Sequence, residues 1–405
     1  MVVEFGSNST RIGFIGDDRP RVVIPSAYAL PSKRAGDLNL LARGVEQIVR
    51  VLEDSEIKDW EGLEFLWDEG VRRRLGLKTD EDLPPLILVE SPVLWSQSAR
   101  ERLCQVAFEK FRVPALFMGK APVLTVFESG RHTGLVVDIG AGAVSVTPVY
   151  DGYVLKNAAV VQRGFGAEWL AKQLNIALQT DLKIDLNREL RCPSEIKSKQ
   201  PVPLAEASNY EATSDAQTLS PSYLAYHRSK VMDELKESIV QVPETPFNPV
   251  DLALRPPKYF EFPTGYNRNF VLERFRVGEL LFDPSKRYAS DEMSDDSAPL
   301  GLTDMVAKSL GLCDVDMRGT LVGNIIVCGG GSLLSGLPER INTEFAKLSN
   351  FGRVRIHIGS SSNERRFSSW IGGSILGSLA SFQQLWMTKK EFEELGPAAI
   401  ERKFP

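Results

Sequence analysis

The sequence predicts a mixed α/β protein whose sheets are covered by helices. The first reason is length, because 405 residues correspond to two or three domains of ordinary size. The second is composition: 43% hydrophobic and 25% charged residues suit a globular protein and exclude collagen, coiled-coil and wholly disordered chains. The third is the alternation of strand-like and helix-like stretches through most of the chain.

Charge and cysteine usage narrow the class further. The 48 basic and 53 acidic residues give a net charge of −5, which argues against a basic protein that follows nucleic-acid phosphates. The 4 cysteines lie far apart and there are only 3 histidines, so we do not expect a structural zinc site. The same cysteine usage predicts a protein of a reducing compartment. The sequence has no apolar run of the roughly 18 residues that a bilayer span needs, and we expect a soluble protein. These values do not separate an enzyme from an interaction subunit.

The elements can be placed in order along the chain. Residues 2–16 and 134–155 predict β-hairpins, because apolar and β-branched residues flank a Gly-containing turn. The stretch LILVE (86–90) predicts a short buried strand, and Ser96 is expected to cap the helix that follows it. Near the C-terminus, the strand NIIVC (324–328) leads through GGGSLLSG into a helical pattern.

Two segments differ from the rest. Residues 191–222 are rich in Ser, Pro, Ala and Gln and lack periodicity, which predicts an exposed, partly disordered insertion. Residues 290–297, SDEMSDDS, predict an acidic loop, and charge runs of this kind are usually solvated surface.

The informative repeat consists of an acid, one further residue and a glycine, and it occurs in both hairpins. Glu4 precedes Gly6, and Asp138 precedes Gly140. A glycine in such a turn lets the backbone approach a bound group, and neighbouring N–H groups can form a nest for phosphate oxygens. The acid can hold a phosphate-bound Mg²⁺, often through water, because Mg²⁺ keeps part of its hydration shell. One such hairpin is weak evidence, but two on opposing domains could clamp a polyphosphate.

A third glycine-rich element, Gly329 to Ser332, follows the strand at 324–328. Its three glycines leave space for a flat ring or a sugar beside the backbone, and the N-terminus of the following helix favours anions. A tight turn with close packing of helix on strand would explain the same glycines.

Longer stretches of the chain resemble actins and actin-related proteins. The C-terminal stretch ERRFSSWIGGSILGSLASFQQLWMTKKEFEELGP (364–397) strongly resembles the signature of that family. Further stretches resemble it in collinear order: FGSNSTRIGFIGDDRPRVVIPS (5–26), SARERLCQVAFEKFRVPALF (98–117), SGRHTGLVVDIGAG (129–142), DGYVLKNAAV (151–160), LFDPS (281–285) and LCDVDMRGTLVGNIIVCGGGSLLSGLPERI (312–341). Together they cover about three quarters of the chain.

The resemblance implies an α/β fold of two actin-like lobes, built from duplicated ribonuclease-H-like domains with a nucleotide cleft between the lobes. The implied division is subdomain 1 at 1–31, 59–128 and 342–405, a shortened subdomain 2 at 32–58, subdomain 3 at 129–165 and 255–341, and subdomain 4 at 166–254. Subdomain 4 would carry the insertion at 191–222.

Within the family, three features look like the nuclear subclass called actin-related protein 4, which chromatin remodellers and histone acetyltransferase complexes share. They are YFEFPTGYNRNF (259–270), the insertion and the shortened segment 32–58. The resemblance implies a nuclear structural subunit that pairs with monomeric actin on a long scaffold helix and meets histones indirectly, through other subunits. No membrane contact is expected. No homo-filament is expected either, because open head-to-tail assembly would need the contact that subdomain 2 supplies.

The resemblance also implies a site for ATP and Mg²⁺. The positions expected at the phosphates are Gly6, Ser7, Asn8, Arg11, Asp138, Gly140, Ala141 and Gly142. Those expected at the adenosine are Lys236, Glu237, Gly329, Gly330, Gly331, Ser332 and Arg366. Glu4 and Asp138 are expected to hold the metal through water. The chain departs from the family pattern at five of these positions. Glu4 and Ala141 stand where the family has aspartates, and Asn8 stands where it has a glycine. Arg11 and Arg366 stand where the family has lysines.

Two further departures bear on hydrolysis. Ala121 stands where the family has a glutamine that orients the attacking water, and Ser145 stands where it has a histidine that helps to arrange it. Positioning supplies much of the rate of phosphoryl transfer, and an alanine side chain neither donates nor accepts a hydrogen bond. We therefore expect a protein that binds ATP and hydrolyses it very slowly or not at all, rather than an enzyme.

Two other functions stay open at this point. An active phosphotransferase of the wider actin and sugar-kinase superfamily would need an acidic base near the γ-phosphate and a polar sugar pocket. Another actin-related protein, such as the dynactin pointed-end subunit, would copurify with dynein-activator subunits instead of chromatin subunits.

Overall fold

A computed structural model describes residues 1–30, 46–77, 83–92, 96–191, 195–199, 210–212, 219–288 and 299–404. The acidic run at 290–297 lies outside these residues. Most of the predicted insertion at 191–222 and the first part of the shortened segment 32–58 also lie outside them.

The strands are β1 (Val2–Phe5), β2 (Ser9–Gly13), β3 (Val22–Pro25), β4 (Ala27–Leu30), β5 (Gln47–Arg50), β6 (Leu52–Glu53), β7 (Glu56–Ile57), β8 (Leu86–Glu90), β9 (Ala115–Lys120), β10 (Gly134–Ile139), β11 (Ala143–Tyr150), β12 (Tyr153–Val154), β13 (Val160–Arg163), β14 (Ile196–Lys199), β15 (Tyr210–Ala212), β16 (Lys258–Glu261), β17 (Asn267–Phe270), β18 (Ile325–Cys328), β19 (Ile356–Ile358) and β20 (Met387–Thr388).

The α-helices are α1 (Trp60–Asp68), α2 (Gln97–Gln105), α3 (Ala121–Glu128), α4 (Ala167–Thr180), α5 (Leu186–Glu189), α6 (Pro221–Ile239), α7 (Pro249–Leu252), α8 (Glu273–Glu279), α9 (Leu302–Leu312), α10 (Val315–Val322), α11 (Leu337–Phe345), α12 (Ser362–Ser378), α13 (Lys389–Leu395) and α14 (Ile400–Lys403).

The first large sheet has the strand order β20, β9, β8, β1, β2, β3. Strands β1 and β2 form the predicted first hairpin, in which Glu4 lies opposite Arg11. Strands β1, β8 and β9 run parallel, and every residue of β8 is buried, as predicted for LILVE. Burial on both faces is typical of the parallel part of an α/β sheet.

The second large sheet repeats this plan. Strands β10 and β11 form the predicted second hairpin, and β10, β18 and β19 run parallel beside it. Strands β12 and β13 both pair with β11 on its other side. Strands β1, β2, β8 and β9 thus correspond to β10, β11, β18 and β19, and Glu4 and Asp138 are both the last residue but one of their strands. The predicted duplication into two lobes is confirmed.

Each large sheet has its own hydrophobic core. The first contains Ile12, Leu66 and Trp67, and the second is built around the β10–β11 hairpin, α4, α6 and α9. Phe345 and Leu348 are buried in the second core, and β19 pairs with β18 of the second sheet. Residues 342–358 therefore pack with the second lobe, although the resemblance placed them in subdomain 1. The division into four subdomains otherwise stays a prediction.

Helices α3 and α12 pack together where the two lobes join. Helix α12 contacts β1 and β8 of the first sheet as well as β18 of the second. Gly372 brings the two helices close, because a Cβ added there would lie 1.9 Å from the Leu124 carbonyl oxygen. Trp370 is fully buried beside it, and its Nε1 donates to the Val2 carbonyl at 3.2 Å. The spacing of α3 and α12 at this junction is thus limited by backbone contact.

Several smaller expectations can be compared with the structure. Helix α2 begins directly after Ser96, which occupies the N-cap position, but the Ser96 hydroxyl makes no capping hydrogen bond. Cys104, Cys313 and Cys328 are buried free thiols. Within the described ranges, no group of three or more His, Cys, Asp or Glu is arranged to hold a metal ion by itself. A search of the same ranges finds no helix with the length and apolar character to cross a membrane.

Candidate functional site

A cavity of about 470 Å³ lies where the two hairpins face each other. Residues of both lobes line it, and most of the predicted site residues are among them: Glu4, Gly6, Ser7, Asn8, Arg11, Ala121, Asp138, Gly140, Ala141, Ser145, Lys236, Glu237, Gly329, Gly330, Gly331 and Arg366. Two predicted residues, Gly142 and Ser332, are not among the residues that line the cavity. The structure therefore brings together residues that are more than 350 positions apart in the chain.

The first hairpin presents an ion pair to the cavity. Because Glu4 lies opposite Arg11 in the β1–β2 register, the Arg11 Nη1 reaches Glu4 Oε1 at 2.8 Å. The Ser369 hydroxyl donates to the same Glu4 oxygen at 2.9 Å. Among the residues that the structure describes, the other Glu4 oxygen, Oε2, and the Arg11 Nε are buried and have no hydrogen-bond partner. Both groups therefore retain capacity for a polar ligand.

The turn between β1 and β2 is closed by its own backbone. The Gly6 N–H donates to the Ser9 carbonyl at 3.1 Å. The Ser7 hydroxyl is 2.9 Å from that of Ser55, which belongs to the β6–β7 turn. Asn8 reaches the other lobe, because its Oδ1 accepts a hydrogen bond from Lys230 Nζ at 3.1 Å.

The second hairpin presents an acid without a cation opposite it in the register. Asp138 lies opposite Ser145, and the Gly140 N–H closes the turn on the Ala143 carbonyl at 3.0 Å. Removal from water, followed by the charge of Glu4, raises the pKa of Asp138 to about 6. Gly142 is required by close packing, because a Cβ there would lie 2.9 Å from the backbone N of Ser55 and 2.8 Å from the Ser7 Oγ. The turns of the two hairpins thus touch each other directly.

The glycine-rich loop packs on the second hairpin. Gly329 has φ +88°, and a Cβ there would lie 2.3 Å from Asp138 Oδ1. Gly330 has open space around it, and the Ser332 hydroxyl donates to the Gly329 carbonyl at 2.7 Å. As predicted, the stretch GGGSLLSG leads into a helix. A 3₁₀ turn occupies Gly330–Leu333, and α11 begins at Leu337, directly after Gly336, whose φ is +80°.

Helix α6 supplies the residues expected at the adenosine. The buried Lys236 Nζ donates to Asp233 Oδ1 at 2.8 Å and to the Ala167 carbonyl at 3.1 Å. These bonds fix the lysine at the cavity wall, next to Glu237. Arg366 approaches from α12, which begins with a capping box formed by Ser361 and Glu364.

The two positions expected to have lost catalytic function both line the cavity. Ala121 is the first residue of α3, directly after β9, and is nearly buried. Ser145 lies on β11 beside Asp138. At the position of Ala121, the wall therefore offers a methyl group in place of a hydrogen-bonding group.

Other cavity residues were not foreseen from the sequence. The small or polar ones include Ser55, Ser91, Thr125, Ala167, Glu168, Asp233, Cys328, Ser368 and Ser369, and larger apolar residues such as Phe5 and Leu52 also line the cavity. Asp233 could have been suggested by its position three residues before Lys236, one turn earlier on the same helix. The serines carry no comparable signal, because nothing in their spacing separates them from ordinary surface serines.

Comparison with known proteins places the chain in a family. The family model described as Actin matches residues 1–405. A protein of Schizosaccharomyces pombe named "SWI/SNF and RSC complexes subunit arp42" is 30% identical, over 98% of this chain and 96% of its own length. "Actin-related protein 4" of Arabidopsis thaliana is 32% identical over 100% of this chain and 98% of its own length. That of Oryza sativa subsp. indica is 33% identical, over the same shares of the two chains.

These matches extend over nearly the whole chain and agree with the duplicated lobes and with the cavity between them. The chain belongs to the actin family.

Proposed function

We propose that this chain is an ATP-binding, non-filamentous nuclear subunit of a chromatin-remodelling or histone acetyltransferase complex, with little or no hydrolytic activity. The observation that carries the proposal is the shared cavity: the acid–x–Gly turns of both lobes open into it, and Ala121 lies in its wall. The proposed membership of a chromatin complex is supported by the names of the relatives. Several are called actin-related protein 4, and one is named as a subunit of SWI/SNF and RSC complexes.

The residues present fit a magnesium nucleotide. Glu4 Oε2 and Arg11 Nε are buried without a partner among the described residues and can bind a polar ligand, and Gly330 leaves open space in the cavity wall. Two carboxylates alone, Glu4 and Asp138, are too few for Mg²⁺, which would take its remaining ligands from waters and phosphate oxygens. When bound, the nucleotide would supply anionic oxygens to the two turns. The chain's own part is to hold them in place and to exclude bulk water.

The assigned roles follow the position of each residue. The turns at 6–8 and 140–142, with Arg11, would bind the phosphates. Lys236, Glu237, Arg366 and the loop Gly329–Gly331 would enclose the adenosine, while Ser332 would act indirectly by holding that loop through its bond to Gly329. Ala121 and Ser145 would leave the attacking water unoriented.

Thermal unfolding and a kinetic assay test the proposed ATP binding and the proposed lack of hydrolysis. ATP with Mg²⁺ at 100 times its dissociation constant should stabilise the protein by about 2.7 kcal/mol, which is measurable as a rise in Tm. In a single-turnover assay the bound ATP should persist. No rise in Tm would refute the nucleotide site, and phosphate release as fast as that of an actin filament would refute the non-catalytic assignment.

The proposed binding of a scaffold helix rests on exposed apolar side chains near the junction of the lobes. Ile375 lies in the last turn of α12 and Leu379 directly follows the helix; they are 42% and 40% exposed, and Leu385 is 49% exposed. Tyr153 of β12 is 70% exposed, and α3 contacts both β12 and α12. An amphipathic helix from a scaffold subunit is a partner that buries such residues. Monomeric actin would bind alongside, and histones would be contacted through the complex.

Reconstitution tests the proposed complex with actin and a scaffold helix. Co-expression with actin and a remodeller or acetyltransferase scaffold helix should give a three-way complex on size exclusion. Leu379→Glu should abolish it, because a charge would replace an apolar contact. Leu254→Glu is the matched control, since Leu254 is also exposed but lies beyond α7 in the second lobe. Failure of the unmodified chain to form the complex, or equal behaviour of the two variants, would contradict the assignment.

A further inference from the structure

The first turns of helix α12 bring side chains to the first hairpin. Phe367 departs from helical geometry, with φ −122° and ψ 18°, and the Arg11 guanidinium lies over its ring, 5.4 Å from the centroid. The next two residues, Ser368 and Ser369, are both buried and both line the cavity. They therefore give two adjacent hydroxyl groups whose partners can be compared.

The partners of the two serines differ. The Ser369 hydroxyl donates to Glu4 Oε1 at 2.9 Å, and the same oxygen accepts from Arg11 Nη1 at 2.8 Å. The Ser368 Oγ instead lies 3.4 Å from the Thr125 Oγ1. The Glu4 carboxylate is thus held at one oxygen by two donors, while its Oε2 has no partner among the residues that the structure describes.

The equivalent acids of the two hairpins are held by different means. Asp138 packs against the glycine-rich loop so closely that a Cβ at Gly329 would lie 2.3 Å from its Oδ1. Glu4 is one methylene longer, and the extra rotatable bond gives its carboxylate more conformational freedom to lose. The hydrogen bonds from Ser369 and Arg11 supply the restraint that packing supplies to Asp138.

We propose that Ser369 is a positioning residue for Glu4 and that it sets how strongly Mg²⁺ strengthens ATP binding. By holding Oε1 it keeps Oε2 available to the hydrated cation of the nucleotide. The inference rests on the proposed ATP site. Mg²⁺ keeps several of its waters in such sites, and partners that orient a metal-binding carboxylate typically contribute 10- to 100-fold to metal affinity. Arg11 does not fill this role alone, because it is also the cation expected at the phosphates.

Paired titrations test the role of Ser369. The full chain is titrated with a fluorescent ATP analogue, once in excess MgCl₂ and once in EDTA, and the ratio of the two dissociation constants measures the gain from Mg²⁺. Ser369→Ala should lower this gain about tenfold and leave the dissociation constant in EDTA unchanged. Ser369→Thr keeps the hydroxyl and should keep the gain. Ser368→Ala is the matched control, because it removes the adjacent hydroxyl, whose partner is Thr125 and not Glu4.

A double variant shows whether Ser369 acts through Glu4. Glu4→Gln should itself lower the gain from Mg²⁺, because the carboxylate charge is lost. Adding Ser369→Ala to Glu4→Gln should then lower the gain no further, since the group that the serine positions is already absent. The Tm of each free variant checks that the fold is kept.

The outcomes separate the role of Ser369 from the nucleotide site. If Ser369→Ala weakens binding equally in MgCl₂ and in EDTA, or changes neither dissociation constant, the positioning role is refuted while ATP binding stands. The same conclusion follows if Ser369→Thr behaves like Ser369→Ala, or if Ser369→Ala lowers the gain further in the Glu4→Gln background. If the unmodified chain binds the analogue under neither condition, the proposed function fails and the positioning role fails with it.

Discussion

Glu4 and Arg11 neutralise each other across the first hairpin, with 2.8 Å between Oε1 and Nη1, whereas Asp138 in the equivalent position of the second hairpin lies opposite an uncharged serine. The duplicated fold therefore has an asymmetric electrostatic arrangement at the cavity. The cation of the first lobe must serve two partners, its own acid and any phosphate that enters.

The first prediction concerns Arg11. Replacing it by methionine should weaken ATP binding about 100-fold, because the cation is lost and Glu4 remains as a buried negative charge near the phosphates. Arg11→Lys keeps the charge and should lose no more than about tenfold. Titration with a fluorescent nucleotide measures both affinities, with the Tm of each free variant as the check on folding. Equal affinities for the two variants would exclude a phosphate contact at this position.

The second prediction concerns pH and Asp138. Its pKa is raised to about 6 by burial and by Glu4, so the folded state binds this proton more tightly than the unfolded state does. The stabilising contribution is complete below pH 4 and is lost as pH rises through 6. Without nucleotide, the free energy of unfolding should therefore fall by about 2 kcal/mol over this window through Asp138 alone.

Urea unfolding between pH 4 and 7, in EDTA, measures this contribution. Asp138→Asn should flatten the decline relative to the unmodified chain, whereas Glu244→Gln, at an exposed loop acid, should leave it unchanged. A decline of the same size in Asp138→Asn would assign the pH dependence to other groups.

The third prediction compares two adjacent glycines. Gly329→Ala should destabilise the protein by about 3 kcal/mol, because its φ is left-handed and the new Cβ would meet Asp138 and the Ile139 carbonyl. Gly330→Ala should cost about 1 kcal/mol at most, since its Cβ would meet nothing within 4 Å. Thermal unfolding of the two variants checks the difference, and similar losses would show that the loop differs from its described conformation.

The fourth prediction concerns Ala121. Ala121→Gln places an amide in the cavity wall, and single-turnover phosphate release should rise at least about tenfold, because a positioned water reacts faster. Ala121→Leu is the control, since it adds comparable bulk without a hydrogen-bonding group. If the leucine variant accelerates release as much, the effect is not orientation of the water.

Local features of the fold were predictable from the sequence, because hairpins and buried strands depend on neighbouring residues. The acid–x–Gly repeat identified both turns of the cavity, and the hairpin register could have paired Glu4 with Arg11. The packing of Ile48 with Tyr226 in one buried cluster could not be predicted, because no sequence pattern links these two residues. The pairing of parallel strands such as β10 and β18 could not be predicted either, because it forms only when the helices between the two strands pack.

The helix after the glycine-rich loop was predictable, because the stretch GGGSLLSG ends where the helical pattern of α11 begins. The left-handed conformation of Gly336 against the Val242 carbonyl was not predictable, because only the folded structure brings that carbonyl there.

The close approach of Gly372 to Leu124 has a consequence for substitutions far from the cavity. A side chain at position 372 would push α12 away from the Leu124 carbonyl, because an added Cβ would lie only 1.9 Å from that oxygen. Helix α12 also contacts strands of both large sheets, so the displacement would be transmitted to both lobes at once. A single mutation at this position would therefore change the shape of the cavity while every residue in its wall stays the same.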